Sequence, residues 1–221
     1  TSIGSLAVTE DEDQKNIYKT LACLDYTGVL AVHCEREQDL RPDLWNPMAP
    51  LTHSLARPKV AEINSVANQI KFAIETGFKG TLHVCHVSCP ETVELVVAAR
   101  TQGKIRITCA ITPHHIMWDG EMLARPNGLL YKVNPPLRSG WDVIVLAQQL
   151  KDGKIDWIET DHAPHAIGEK LWPPHLSGFP SLYYYRYFVE TFLPSIGLSE
   201  AQIEALTFGN IVKTFGKKLN I

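Results

Sequence analysis

Four short apolar runs, each closing on polar and titratable residues and each followed by a helical pattern, constrain this fold most. They are GVLAVHCE from Gly28, GTLHVCHV from Gly80, KIRITCAITPHH from Lys104 and DGKIDWIETDHAPH from Asp152. Runs this short that alternate with helices indicate parallel strands joined by helical crossovers, in an open α/β sheet or a β/α barrel. Such folds place their active sites at the C-terminal ends of the strands. In this chain those ends carry His33, His86, His114, His115, Asp161 and His165.

The helices between the strands follow from spacing and from stop signals. A first helix is predicted from about Glu12 to Tyr26, with Ile17, Leu21 and Leu24 on one face and Gly28 just beyond. The polar stretch from Arg36 to Arg57, with Pro42, Pro47 and Pro50, reads as a long functional or mobile loop. Pro58 opens a helix in the favoured first-turn position. Val60, Ile63, Val66, Ile70 and Ile74 form its stripe, and Gly77 ends it. A Pro90-initiated helix runs to about Gly103 with Val93, Val96 and Val97 apolar, and another spans about Ser139 to Leu150. Ser199 and Gln202 have the spacing of a capping box at the start of the last helix.

Composition narrows the function classes. Among 221 residues, 21 Lys and Arg face 24 Asp and Glu, a formal net charge of −3, which gives no basic surface for nucleic acid. Hydrophobic residues at 45% and charged residues at 20% describe a folded domain. No apolar run approaches the ~20 residues of a membrane span, and no basic-then-apolar leader is present, so neither a membrane nor a secretory route is expected. Cys23, Cys34, Cys85, Cys89 and Cys109 are odd in number and lack a knuckle spacing. A disulfide framework is therefore not expected, and a reducing, cytoplasmic setting is.

The chemistry-bearing residues separate by position. His33 ends VLAVH at the edge of the core; a single strand-end histidine is more often a hydrogen-bonded structural residue than a ligand. His83 and His86 are three apart on one strand and so point to opposite faces. His86, placed with Leu82 and Val84, is the candidate ligand, and His83 is expected to pack against a helix. In TDHAPH, Asp161 at a strand mouth can bind a divalent metal or accept a proton from water. Pro164 stiffens the turn that presents His165. Together His33, His86 and Asp161, distant in sequence, suit zinc, manganese or a related metal. The prolines of NPPLR hold Asn134 and Arg138 in a fixed relation, suited to a planar, anionic, amide-bearing substrate. His114 and His115, ending the third strand, are placed as orienting groups. His53 and His175 are expected in solvent-facing loops, and Tyr183, Tyr184 and Tyr185 as helix packing.

HCE at 33–35, HVCHVS at 83–88, TPHH at 112–115, KVNPPLR at 132–138 and DHAPH at 161–165, with HSLARP at 53–58, resemble in order and spacing the dihydroorotases of the amidohydrolase superfamily. The resemblance implies a metal-dependent TIM-like β/α barrel, of which 1–221 is a single partial catalytic domain holding about strands five to eight. It implies two metal ions, usually zinc, and interconversion of N-carbamoyl-L-aspartate and dihydroorotate in pyrimidine synthesis. His33 and His86 would be ligands at the fifth and sixth strands, and Asp161 at the eighth would be both ligand and general base. Asn134 and His165 would hold substrate, with the backbone at Gly178 and Phe179 against the ring and Arg138 and His115 in supporting places. A homodimer, and association with aspartate carbamoyltransferase, are the partners it implies.

The family's His-x-His is absent here. Its bridging lysine, often carboxylated, would fall upstream of Thr1, and its small β-sandwich is not represented. Two alternatives follow: another cyclic amidase, such as an allantoinase or a hydantoinase/dihydropyrimidinase, or a catalytically silent interaction module. His165 favours dihydroorotase, because the cousins usually carry another residue there. Four strands without a closing four would leave two unpaired edges and a tendency to associate.

Overall fold

The computed structural model describes residues 7–216. Four parallel strands form one sheet in chain order: β1 (Val29–Val32), β2 (Thr81–Val84), β3 (Arg106–Ile111) and β4 (Trp157–Ile158). Helices α1 (Asp11–Cys23), α2 (Thr52–Ala56), α3 (Lys59–Thr76), α4 (Pro90–Gln102), α5 (Pro113–Met117) and α6 (Gly140–Lys151) precede or link the strands. After β4 come α7 (Ile167–Leu171), α8 (Leu182–Tyr187) and helical turns that reach Phe215. Strands adjacent in sequence are adjacent in space throughout, as successive β/α units of a barrel wall are.

Strand alternation sorts the residues. Leu30, Leu82 and Ile107 sit side by side in register, as do Val32, Val84 and Cys109. These rows meet Val66, Phe72, Val93, Val96, Leu146 and Leu150 of the helices in one core. Burying each such side chain contributes roughly 1.5–3 kcal/mol. The intervening row, Ala31, His83 and Thr108, lies on the opposite face.

The helices correct three sequence expectations. α1 ends at Cys23, and its buried residue is Tyr18, whereas Ile17 and Leu24 are exposed. Tyr18 packs against Phe72 and Phe78 and donates from Oη to Gln69 Oε1 at 2.7 Å, so this aromatic with a polar handle, with Leu21 beside it on the core, seats the helix. On α3 the buried face is Ala61, Glu62, Ser65, Val66, Gln69, Phe72 and Ala73, while Val60 is exposed. The stripe turns because Glu62 and Gln69 find buried partners in Ser88, Arg138 and Tyr18. The stretch 36–57 holds two short turns and α2 rather than a bare loop. Ser199 does form the capping box with Gln202, and Gly77 closes α3 at φ +67°, where a glycine is favoured.

Candidate metal and active site

β1 delivers His33 and β2 delivers His86 to the same end of the sheet. His33 Nδ1 lies 3.1 Å from His86 Nε2. The other nitrogen of His33 meets Glu35 Oε2 at 3.0 Å. Glu35 is held bidentately by Arg57, Nε to Oε1 at 2.9 Å and the terminal guanidinium nitrogen to Oε2 at 2.6 Å. The network sets the tautomers. His33 gives its Nε2–H to the carboxylate, so Nδ1 is a lone pair, and His86 Nε2–H points at it. His86 Nδ1 is then a bare lone pair, buried and without a hydrogen-bond partner. Burial, with the nearby His33, holds His86 down at about 4, so its imidazole stays neutral. For Glu35, burial alone would raise the pKa, but hydrogen bonds from His33 and Arg57 outweigh it and keep the carboxyl well below its usual range.

β4 delivers Asp161, half-buried and within electrostatic reach of His33 and Glu159. Desolvation first, and the Glu159 charge second, push it up to about 6. His86 (φ +31°) and Asp161 (φ +42°) both adopt left-handed backbone. Such strain costs on the order of 1–3 kcal/mol per residue and concentrates at functional sites. It also explains a correction: Val84 ends the strand and the chain turns over at His86, so His86 does not continue the Leu82 and Val84 face. His83, expected against a helix, instead stacks on Trp157 and meets Thr108 Oγ1 at 3.0 Å and Glu159 Oε2 at 3.3 Å.

These residues fit a borderline divalent metal. Two imidazoles converge, the His86 ring has an orphaned buried nitrogen, carboxylates stand close by, and Glu35 orients His33 through its second nitrogen, as carboxylates orient metal-bound histidines.

The expected substrate groups divide. Asn134 Oδ1 accepts from His53 Nε2 at 3.0 Å, and among the described residues no partner takes its Nδ2. His53, expected in solvent, is buried on α2 and also donates to Val133 O. His165 Nε2–H goes to Ser177 O at 3.0 Å, so donation to a substrate requires a proton on Nδ1. Gly178 N–H donates to Lys132 O, and its carbonyl accepts from Lys170 Nζ. Phe179 O accepts from Ala163 and Ser181. The Gly178 amide and both carbonyls thus hold the loop. Phe179 stacks with Tyr184 and Tyr131, so Tyr184 belongs to an aromatic cluster, while Tyr183 is exposed.

Arg138 is turned toward α3. It is buried against Ser88 Oγ, Arg57 O and Glu62, and ties the NPPLR loop to α3. His114 and His115 lie in α5, beyond the end of β3, and both His115 nitrogens are taken, by Thr112 Oγ1 and Pro135 O. His175 is half-buried, with Nδ1 on Lys170 O. Missed from sequence were Glu35, Arg57 and Glu159; the first and last stand two residues from a candidate ligand. A cavity of about 180 Å³ lined by Tyr18, Leu30, His33, Glu35 and Arg57 opens beside β1.

No family model matches the chain. Its curated relatives include the dihydroorotases of Mycobacterium tuberculosis (44% identical over 124 residues, 56% of this chain and 28% of that protein) and Listeria monocytogenes (41% over 143 residues, 61% and 32%). Similar solved structures include an L-hydantoinase from Arthrobacter aurescens (TM-score 0.84, 22% identity, 99% of this chain and 50% of that one) and a dihydropyrimidinase from Brevibacillus agri (TM-score 0.82, 24%, 97% and 49%). The chain spans about half the length of those structures, and its matched segment about a third or less of the dihydroorotases. In sequence the chain is related to the dihydroorotases over about half its length, and in fold it is a partial β/α barrel shared with the hydantoinases and dihydropyrimidinases.

Proposed function

We propose that this chain is the metal-binding, C-terminal part of a dihydroorotase barrel, acting in reversible hydrolysis of a cyclic amide. The observation that carries the reading is the approach of His33 to His86, with half-buried Asp161, from a third strand end, within electrostatic reach of His33. His33, His86 and Asp161 would hold the metal, which supplies Lewis acidity toward the amide carbonyl. Asp161 takes the proton of the attacking water and returns it to the departing ring nitrogen. Asn134 Nδ2 offers a donor to substrate, and His165, once protonated at Nδ1, offers another to a carboxylate.

The same reading brings with it two zinc ions, a place in pyrimidine synthesis in the cytoplasm, and a homodimer or association with aspartate carbamoyltransferase. Residues 1–221 form one partial catalytic domain within it. The hydantoinase-like fold keeps a second cyclic amidase reading open. Turnover of dihydroorotate, hydantoin and allantoin by the full protein separates the two, and dihydroorotate is expected to dominate. Asp161→Asn should lower that rate ~10²–10⁴-fold. A near-normal rate removes Asp161 as the base, and no turnover of any cyclic amide leaves the silent module.

A further inference from the structure

We propose a second, separate cation site on the inner face of the sheet, formed by His83, Cys85 and Glu159 and suited to zinc or another thiophilic divalent ion. It goes beyond the proposed reaction and does not depend on it.

One ligand atom from each of these residues lies within 4.8 Å of the other two. β2 supplies His83, and Cys85 follows directly on its end, with its backbone N–H on Val32 O. β4 runs on into Glu159, on the far side of β3. His83 and Glu159 are already oriented. His83 is buried, its ring stacked on Trp157 at 4.3 Å between centroids, with Nδ1 against Thr108 Oγ1, its register partner on β3. That bond aims Nε2 at Glu159 Oε2, 3.3 Å away. Glu159 is fixed from its other oxygen by the His86 backbone N–H, leaving Oε2 for the cluster. The imidazole is therefore positioned through its second nitrogen and the carboxylate through its second oxygen, as metal ligands are.

The donor set selects the ion. A thiolate, an imidazole and a carboxylate suit zinc or cobalt(II) and not magnesium or calcium, which take oxygen ligands. Three protein ligands leave a fourth position of a tetrahedral ion for water. Cys85 ligates as the thiolate, and its proton goes to solvent. Cys85 and Glu159 are only partly buried, which gives an ion a route in. His33 is not in this cluster, and Glu159 is the link between it and the strand mouth.

Cobalt(II) titration of the full chain tests the site. The expected result is a thiolate-to-cobalt charge-transfer band in the near ultraviolet. The band should be lost in Cys85→Ser, weakened at least tenfold in apparent affinity in Glu159→Gln, and kept in Cys23→Ser and His33→Ala. Retention in His33→Ala separates this site from the one at the mouth, whatever the fate of the proposed reaction. Cobalt K-edge absorption of the loaded wild-type protein should show a sulfur neighbour, so the inference stands or falls even if Cys85→Ser does not fold. Absence of both the band and the sulfur neighbour overturns it. Loss of the band in His33→Ala also overturns it, by assigning Cys85 to the mouth.

Discussion

Arg57 and Glu35 show how single residues set the site. The Glu35 side chain is 1% exposed and is answered by a bidentate guanidinium and by His33. Removing Arg57 strands that carboxylate in low dielectric. Arg57→Ala should cost ~3 kcal/mol of stability in urea unfolding and loosen His33 as well. Arg57→Lys should restore only part of this, because an ammonium cannot span both oxygens. Gly178 is the other decisive residue. At φ +152°, an added Cβ would stand 2.5 Å from Ala163 O and 2.8 Å from the His165 ring. Gly178→Ala should therefore lower thermal stability and, in the active protein, raise KM more than it lowers kcat, since it displaces His165 and leaves Asp161 alone.

Among the elements, the segment from α7 to Phe179 is held by two lysines. Lys170 Nζ donates to the carbonyls of Lys132, Leu176 and Gly178, and Lys132 Nζ to His175 O and Ser177 Oγ. Burial, and then the charge of Lys132, hold Lys170 down at about 8 against an ordinary 10.5. Between those values the unfolded chain binds more protons than the folded one, so stability rises with pH across that window. Below pH 8 the cost of the buried charge is full and constant. Unfolding free energies measured from pH 7 to 10.5 should rise less steeply in Lys170→Met than in the wild-type chain. Equal slopes would show that Lys170 does not titrate there. The β-strands were readable as elements because their apolar runs are bounded by Gly, Pro and polar clusters. α3 was readable in its span but not in its face, because Glu62 and Gln69 are buried by partners far away in sequence, Arg138 and Tyr18.

At the scale of the whole molecule, β1 and β4 each have a single strand neighbour among the described residues, so each presents an open edge. Trp141 and Ile144 add exposed apolar surface on α6. Unpaired edges recruit other chains. The 221 residues expressed alone should sediment as dimers or larger species. A monodisperse monomer that unfolds cooperatively would show that the edges are closed in some other way.

Periodicity and punctuation in the sequence determined the four strands, their order along the chain and the polar character of their ends, because those depend on near neighbours. The pairing of His33 with His86 also lay within reach, since successive parallel strands bring their ends together. Which way His83 faces, that His53 and Arg138 are buried, and that Glu35 and Glu159 complete the polar network were decided only by tertiary structure. The free energy of a buried polar group rests on the partner that satisfies it, and those partners lie across the sheet or on another helix, beyond the reach of any local pattern.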